Sequence, residues 1–268
     1  MRTRHWSALL GAAAILTAAT IGLGWGDRGP VEGAGPAAAS PTLSTEHRGA
    51  LLAASAVVRK AGSVRLSVAD EAPWSSTGVF HWGQSRTAEL VRKRDYDDEQ
   101  VAMRVVDRAF YIGQSGEGWA RVPLGADSGK EMDPVELGAA QIAVFWVIDP
   151  LFQLDVHGRL GSVVRQGDEK VDGALAVHYR STVETFEFVE AIGDDLSLAR
   201  QLGVRLALHR RGNTMAADFW IGPSGEVLKM AVGLPTQRDV SSEVRYSDYG
   251  RATAVQAPPP AEILNPNG

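Results

Sequence analysis

The stretch that decides the fold is Ser63-Val64-Arg65-Leu66-Ser67-Val68. Its polar and apolar side chains alternate strictly, which is the pattern of a β-strand with one buried and one exposed face. The preceding run from Thr45 to Ala61 has the apolar spacing of an amphipathic helix, and Gly62 ends it. The folded part therefore begins with a helix and a strand whose inner face carries Val64, Leu66 and Val68.

Further strand signals follow on both sides of a central apolar region. The predicted strands are 77–82, 86–92, 100–106, 108–112, 118–124, 163–165, 171–182, 214–221, 226–232, 239–246 and 253–256. A second long helix is predicted over 192–211. Because the strands come in consecutive runs without regular helical crossovers, their sheet is antiparallel. The sequence thus predicts an α+β fold, in which helices pack on the concave face of a large curved antiparallel sheet.

The central region is a near-continuous apolar run, Ile142 to Ile148, which includes Phe145 and Trp146. Asp149-Pro150 interrupts the run, and the chain restarts as Leu151-Phe152-Gln153-Leu154. Since proline suits the first turn of a helix, two short helices in succession are predicted. They have two interpretations, as ordinary core beneath the sheet or as the wall or gate of a cavity for a hydrophobic ligand.

The N-terminal segment, residues 1–40, has the order of an export signal. Arg2 and Arg4 precede an apolar run of about 20 residues, and a stretch rich in Gly, Ala and Pro follows. The segment is therefore predicted to be a signal peptide that is cleaved or a membrane anchor that is kept, joined to a flexible linker. Residues 41–260 are predicted to form a single domain, and residues 261–268 a C-terminal tail.

Composition and motifs exclude several classes of function. The net charge of −5 argues against a nucleic-acid binder, and the absence of cysteine excludes disulfides and thiol chemistry. The six histidines form no metal-binding spacing, and no catalytic constellation is found. We therefore predict that the chain is not an enzyme and has neither a metal nor a cofactor.

Several local patterns, in order along most of residues 45–260, resemble the LolA-like carriers, especially the LppX/LprG branch of exported lipoproteins. The patterns are Ala61-Gly62-Ser63-Val64-Arg65, Arg104-Val105-Val106-Asp107 running on to Tyr111, Val171-Asp172-Gly173 before His178-Tyr179, Asp218-Phe219-Trp220-Ile221 before Gly225, and Tyr246-Ser247-Asp248-Tyr249-Gly250 before Ala257-Pro258. The resemblance implies an open, incomplete β-barrel that holds an acyl chain or a lipidated partner between sheet and helices. One departure is plain, because this chain lacks the cysteine through which members of the branch are lipidated.

The resemblance implies an extracytoplasmic carrier or binding protein for a hydrophobic ligand, such as an acyl lipid, a glycolipid or a lipoprotein. The alternative is a sensory or regulatory module of the cell envelope that has the same fold and binds a partner protein. In both cases the chain is secreted or anchored to the outer face of the cytoplasmic membrane through its N-terminal segment. The predicted cavity residues are Val64, Leu66, Val68, Ile142, Phe145, Trp146, Leu151, Phe152, Leu154 and Trp220.

Overall fold

The computed structural model describes residues 45–69, 74–94, 100–114, 117–124, 139–209, 212–233 and 241–264. The chain divides into two units, Met1–Leu43 and Ser44–Gly268, and every described element belongs to the second. The predicted export segment, residues 1–40, lies outside the described residues. The predicted domain of residues 41–260 stays a prediction.

The described elements are five α-helices and eleven β-strands. The helices are α1 (Thr45–Ala61), α2 (Ala139–Val147), α3 (Pro150–Leu160), α4 (Thr185–Ile192) and α5 (Leu198–His209). The strands are β1 (Ser63–Ala69), β2 (Trp74–Trp82), β3 (Arg86–Arg94), β4 (Gln100–Val106), β5 (Ala109–Gln114), β6 (Gly118–Pro123), β7 (Ser162–Val171), β8 (Ala174–Glu184), β9 (Thr214–Ile221), β10 (Val227–Gly233) and β11 (Ser241–Ser247).

The strands form one antiparallel sheet in the order β6-β5-β4-β3-β2-β1-β11-β10-β9-β8-β7. It consists of two meanders, β1–β6 and β7–β11, which are joined where the first strand pairs with the last. Within the described residues the edge strands β6 and β7 do not pair with each other, so the sheet is open. The predicted α+β fold with an open antiparallel sheet is confirmed.

Strand β1 shows how the sequence pattern selects the inner face of the sheet. Val64, Leu66 and Val68 are buried in the main core, whereas Arg65 and Ser67 are exposed. Leu66 lies opposite Tyr246 of β11 and Val68 opposite Val244, and both partners belong to the same core. The alternation therefore places one continuous apolar face beneath the helices.

The helices cover this inner face, and α1 and α3 pack closely against each other. The contact carries an ion pair between Arg59 and Asp155, which also accepts a hydrogen bond from Ser55. Gly158 allows the close approach, because a Cβ at this position would lie 2.8 Å from Leu52 Cδ2. The predicted placement of helices on the sheet's inner face is confirmed.

Three predicted elements differ from the structure. The strand predicted over 163–165 is the longer β7, which continues to Val171 with a shift in its pairing register between Arg165 and Gly167. The long helix predicted over 192–211 is a separate α5 that begins at Leu198, preceded by α4 and a 3-10 turn, Gly193–Asp195. Thr185, Phe188, Val189 and Ile192 of α4 have helical spacing and are buried, so packing of one apolar stripe forms this helix. The strand predicted over 253–256 is absent, because these residues form no regular element.

Candidate functional site

The predicted cavity residues come together between the sheet and helices α2 and α3, with one exception. Eight of them are buried members of a single apolar cluster, and Phe152 is partly buried against it. The eight are Val64, Leu66, Val68, Ile142, Phe145, Trp146, Leu151 and Leu154. The sequence therefore predicted which side chains would meet, while their role in ligand binding stays a prediction.

Trp220 is the exception, because it lies on the other face of the sheet. Its neighbour Phe219 belongs to the main core, and successive side chains of a strand point to opposite faces. Trp220 instead stacks on His178 of β8, with ring centroids 4.2 Å apart, and Lys229 Nζ lies 3.8 Å from its ring. Its indole donates a hydrogen bond of 2.7 Å to Glu169. Trp220 is therefore not part of the inner site.

Helix α2 inserts aromatic side chains beneath the first meander. The ring of Phe145 makes edge contacts with Phe80 of β2 and Phe110 of β5, at centroid distances of 6.3 and 6.0 Å. All three rings are at most 2% exposed. The side of the interior that faces β2 and β5 is thus buried and aromatic, which suits an apolar ligand.

Helices α2 and α3 meet at a bend of 75°, which the sequence encodes at Asp149-Pro150. The Asp149 carboxylate accepts hydrogen bonds from the backbone N–H groups of Leu151 (2.9 Å) and Phe152 (3.2 Å) and so caps α3. Pro150 occupies the first turn, where its missing N–H leaves no helical hydrogen bond unmade. The bend therefore comes from a local start signal.

Three side chains from the sheet hold this bend, and we name them the bend clamp: Trp82, Arg86 and Tyr246. Arg86 Nη2 donates to the Phe145 carbonyl (2.7 Å) and lies 3.0 Å from Asp149 Oδ2. Trp82 Nε1 donates to the same carboxylate oxygen (3.3 Å), and the Tyr246 hydroxyl donates to the Ile148 carbonyl (2.8 Å). The clamp thus satisfies backbone carbonyls at the end of α2, where the helix dipole favours a cation.

The clamp lies in a buried environment that changes the acidity of its groups. Burial raises the pKa of Asp149 above its usual value, while the Arg86 guanidinium and the hydrogen bonds to the carboxylate oppose this shift. Burial also raises the pKa of the Tyr246 hydroxyl well above its usual value. The Arg86 guanidinium lies 4.8 Å from the Trp146 ring, a cation–π contact that offsets part of its lost hydration.

Three buried polar atoms of α2 and α3 have no hydrogen-bond partner among the described residues: Trp146 Nε1, Gln153 Oε1 and His157 Nε2. Gln153 and His157 lie one turn apart on α3, so both project from one helix face. Gln153 donates through its amide nitrogen to the Trp146 carbonyl (3.2 Å), and His157 Nδ1 lies 2.9 Å from Ser181 Oγ. Burial lowers the pKa of His157 to about 3, so the ring is neutral near pH 7. These atoms can bind a hydroxyl, a carboxyl group or a water molecule.

Sequence reasoning missed every member of the bend clamp, and it also missed Gln153 and His157 as polar groups of the interior. The sequence of Asp149-Pro150 indicates the break between two short helices and the start of the second, but not the side chains that hold it. Arg86 is 63 residues from Asp149, and no local pattern indicates a pairing over that distance. For Gln153 and His157 a signal existed, because both fall on the buried face of α3 at helical spacing.

Within the described residues, no group of three or more His, Cys, Asp or Glu side chains is arranged to bind a metal ion. In the same part of the chain, no single helix has the length and apolarity to span a bilayer. Among these residues, α2 and α3 meet the requirements of length and apolarity only when the two helices are counted together as one bent pair.

Comparison with known proteins gives structural neighbours only. No protein-family model matches the chain, and no curated protein matches its sequence. Among solved structures, LprF from Mycobacterium bovis is 14% identical over 80% of this chain and 98% of its own, with a TM-score of 0.46. The lipoprotein LppX from Mycobacterium tuberculosis is 15% identical over 80% of this chain and 100% of its own, also with a TM-score of 0.46.

A LolA superfamily protein from Nitrosomonas europaea is similar as well, at 9% identity over 82% of this chain and 98% of its own, with a TM-score of 0.28. The resemblance predicted from the sequence motifs is confirmed to this extent, for the fold alone. No function is inferred from likeness at these identities and scores.

Proposed function

We propose that the chain is an extracytoplasmic carrier or binding protein that holds a hydrophobic ligand between the sheet and helices α2 and α3. The ligand class is an acyl lipid, a glycolipid or the acyl chain of a lipoprotein. The observation that carries the proposal is the way α2 and α3 are attached. Beneath them lies a buried apolar surface, and the hydrogen bonds and ion pair that hold their bend to the sheet are those of the bend clamp.

This attachment gives a physical route for ligand entry. No backbone ladder joins α2 or α3 to the strands, so the pair can move from the sheet when the contacts of Trp82, Arg86 and Tyr246 and the contact between His157 and Ser181 are broken. An acyl chain that replaces them gains about 0.8 kcal/mol for each CH₂ removed from water. A chain of ten or more carbons therefore offsets the loss of a few hydrogen bonds.

The unpartnered polar atoms indicate where the polar end of the ligand binds. Gln153 Oε1 accepts a hydrogen bond, and His157 Nε2 donates or accepts according to its tautomer. We infer that a hydroxyl or a protonated carboxyl group of the ligand pairs with these atoms, whereas a purely hydrocarbon ligand leaves them unpaired at a cost of about 1–3 kcal/mol each. The proposed ligand is therefore an acyl chain with one polar terminus.

Mass spectrometry of the bound material tests the proposal. The chain from Pro41 onward contains every described element, so it is expressed with an export signal and purified without detergent. An acyl lipid in about stoichiometric amount in the organic extract supports the carrier function and identifies the ligand class. A folded protein that carries no lipid and takes none up points instead to the alternative, a module that binds an envelope protein.

A narrower test uses Phe152, which is only partly buried and makes an edge contact with Phe188 of α4 at 5.2 Å. Phe152→Glu should abolish uptake of the lipid, because the charge enters the apolar site at a position that tolerates exposure. Leu175→Glu is the matched control, since Leu175 is 60% exposed at the start of β8. Equal uptake by the two folded variants would remove Phe152 from the site.

A further inference from the structure

Helix α5 exposes an unusual face to solvent. Its exposed positions are Leu198, Ala199, Leu202, Arg205, Leu206 and His209. The three leucines are 78%, 51% and 49% exposed, in chain order, and they follow one another at intervals of four residues. Such a spacing aligns side chains along one line of the helix, so α5 presents a leucine ridge without a carboxylate.

The opposite face of α5 does not explain this ridge. Its buried positions carry Val204 and Leu208, together with Gly203 and the charged residue Arg200. A helix that packs on a core normally directs its leucines inward and its arginines to solvent. In α5 the outward face is at least as apolar as the inward one, which is the composition of a helix whose outer face has a partner of its own.

The ridge continues onto α4 through Phe186, which is 54% exposed. The Arg205 guanidinium lies 5.0 Å from the Phe186 ring and links the two helices. Among the described residues, four of the nine exposed large hydrophobic side chains lie here. We name this surface the α5 patch: Phe186, Leu198, Leu202, Arg205 and Leu206. Such clustering marks an interaction site, because single exposed leucines elsewhere need no explanation.

We propose that the α5 patch docks the protein on the surface of a phospholipid bilayer, with the leucine ridge in the boundary between headgroups and acyl chains. The proposal rests on the proposed function, since it names the surface at which a lipid carrier would exchange its ligand. A helix with aliphatic and aromatic side chains on one side and flanking cations suits this position, at a depth of about 5–10 Å.

The composition of the α5 face and the chain length favour a bilayer as the partner. The exposed face of α5 carries Arg205 and His209, and the sequence continues with Arg210 and Arg211. Exposed carboxylates also lie beside the patch, Glu184 and Glu190 on either side of Phe186 and Asp195 before Leu198, so the net attraction to anionic lipid is small and the leucines supply most of the affinity.

The N-terminal apolar run, predicted to bring the chain to the membrane, ends at Trp25, and α1 begins at Thr45. Residues 26–44 span at most about 65 Å when fully extended. The folded part therefore stays tethered to the bilayer when the run remains uncleaved.

The cysteine-free sequence permits a direct test with the full-length chain. Leu202→Cys on the patch and Leu175→Cys on the β7–β8 hairpin are each labelled with an environment-sensitive fluorophore. Both variants are reconstituted into vesicles of phosphatidylglycerol and brominated phosphatidylcholine in equal parts. Because the two chains share one N-terminal segment, any difference between them reports the orientation of the folded part. We expect several-fold stronger quenching and a blue-shifted emission at position 202.

Three results would overturn the proposal. They are equal quenching at the two positions, stronger quenching at 175, and a blue shift at 202 that needs no vesicles and grows with protein concentration. The last result would assign the patch to a second copy of the chain. As a control, Leu198→Ser with Leu206→Ser in the labelled Leu202→Cys chain should reduce the quenching. The readout requires no bound ligand, so a failure of the docking surface can be distinguished from a failure of the carrier function.

Discussion

At the residue scale, Arg86 is the side chain on which the bend between α2 and α3 depends most. It pairs with Asp149, which is 1% exposed, and removing one partner of such a pair leaves an uncompensated buried charge. We expect Arg86→Met to lower the free energy of unfolding by about 3–5 kcal/mol in urea titrations. Arg165→Met, which breaks an exposed pair with Asp168, should cost less than about 1 kcal/mol.

A double variant tests the role of Arg86 in a second way. When Asp149→Asn is added to Arg86→Met, the buried charge is removed and the cap on α3 is largely kept, so part of the lost stability should return. If Arg86→Met costs no more than Arg165→Met, the pair with Asp149 is not what holds the bend.

His157 makes stability depend on pH at the same scale. Burial lowers its pKa from 6.5 to about 3 in the folded chain, so the unfolded chain binds a proton that the folded chain does not. The neutral ring's contribution to the free energy of unfolding is complete above pH 6.5. It is lost as the pH falls towards 3, by about 1.4 kcal/mol for each pH unit. The pKa of Asp149 is raised, so its contribution has the opposite sign in the acid range.

The difference between variants therefore isolates the histidine. His157→Gln should remove this slope from the unfolding free energy measured by urea titration between pH 6.5 and 3. Gln153→Leu, one turn away on the same helix face, carries no ionisable group and should retain it. The same slope in the His157→Gln variant and in the unsubstituted chain would show that His157 is not buried as a neutral ring.

At the element scale, α2 and α3 should be the least protected of the buried elements. Their bend is held by side chains of the bend clamp, whereas β8 pairs along both edges with β7 and β9. In hydrogen-exchange mass spectrometry, peptides from 142–154 should exchange faster than peptides from 175–183 in lipid-free protein. Added lipid should slow the first set and leave the second unchanged. Equal protection of both sets without lipid would argue against movement of the pair.

The sequence predicts those elements that are determined by local patterns, and it does not predict contacts that depend on tertiary packing. The alternation in β1 and the start signal at Asp149-Pro150 are local, and both predict the structure correctly. Helix α4 was missed although Thr185, Phe188, Val189 and Ile192 carry a helical stripe, because its aromatic and β-branched residues also suit a strand. The pairing of Arg86 with the bend depends on tertiary packing, which no spacing along the chain encodes.

At the scale of the whole molecule, the sheet should depend on its last strand. A chain that stops at Gly233 lacks β11, so β1 and β10 lose their shared neighbour and the bend clamp loses Tyr246. We expect this chain to bind hydrophobic dyes and to unfold without cooperativity. A chain that stops at Leu264, whose N–H donates to the Trp119 carbonyl of β6, should unfold cooperatively. Cooperative unfolding of the shorter chain would show that the two meanders are independent.

The pairing of β1 with β11 also sets the order in which the protein can fold as it is made. About 170 residues separate the end of β1 from the start of β11, so at 5–20 residues per second roughly 10–30 s pass before the partner strand exists. During that interval β1 is a bare edge, and the largest step of assembly has a high contact order and is slow. A chain that cannot complete its sheet early stays incompletely folded for longer, and such a delay would suit the export that the N-terminal segment predicts.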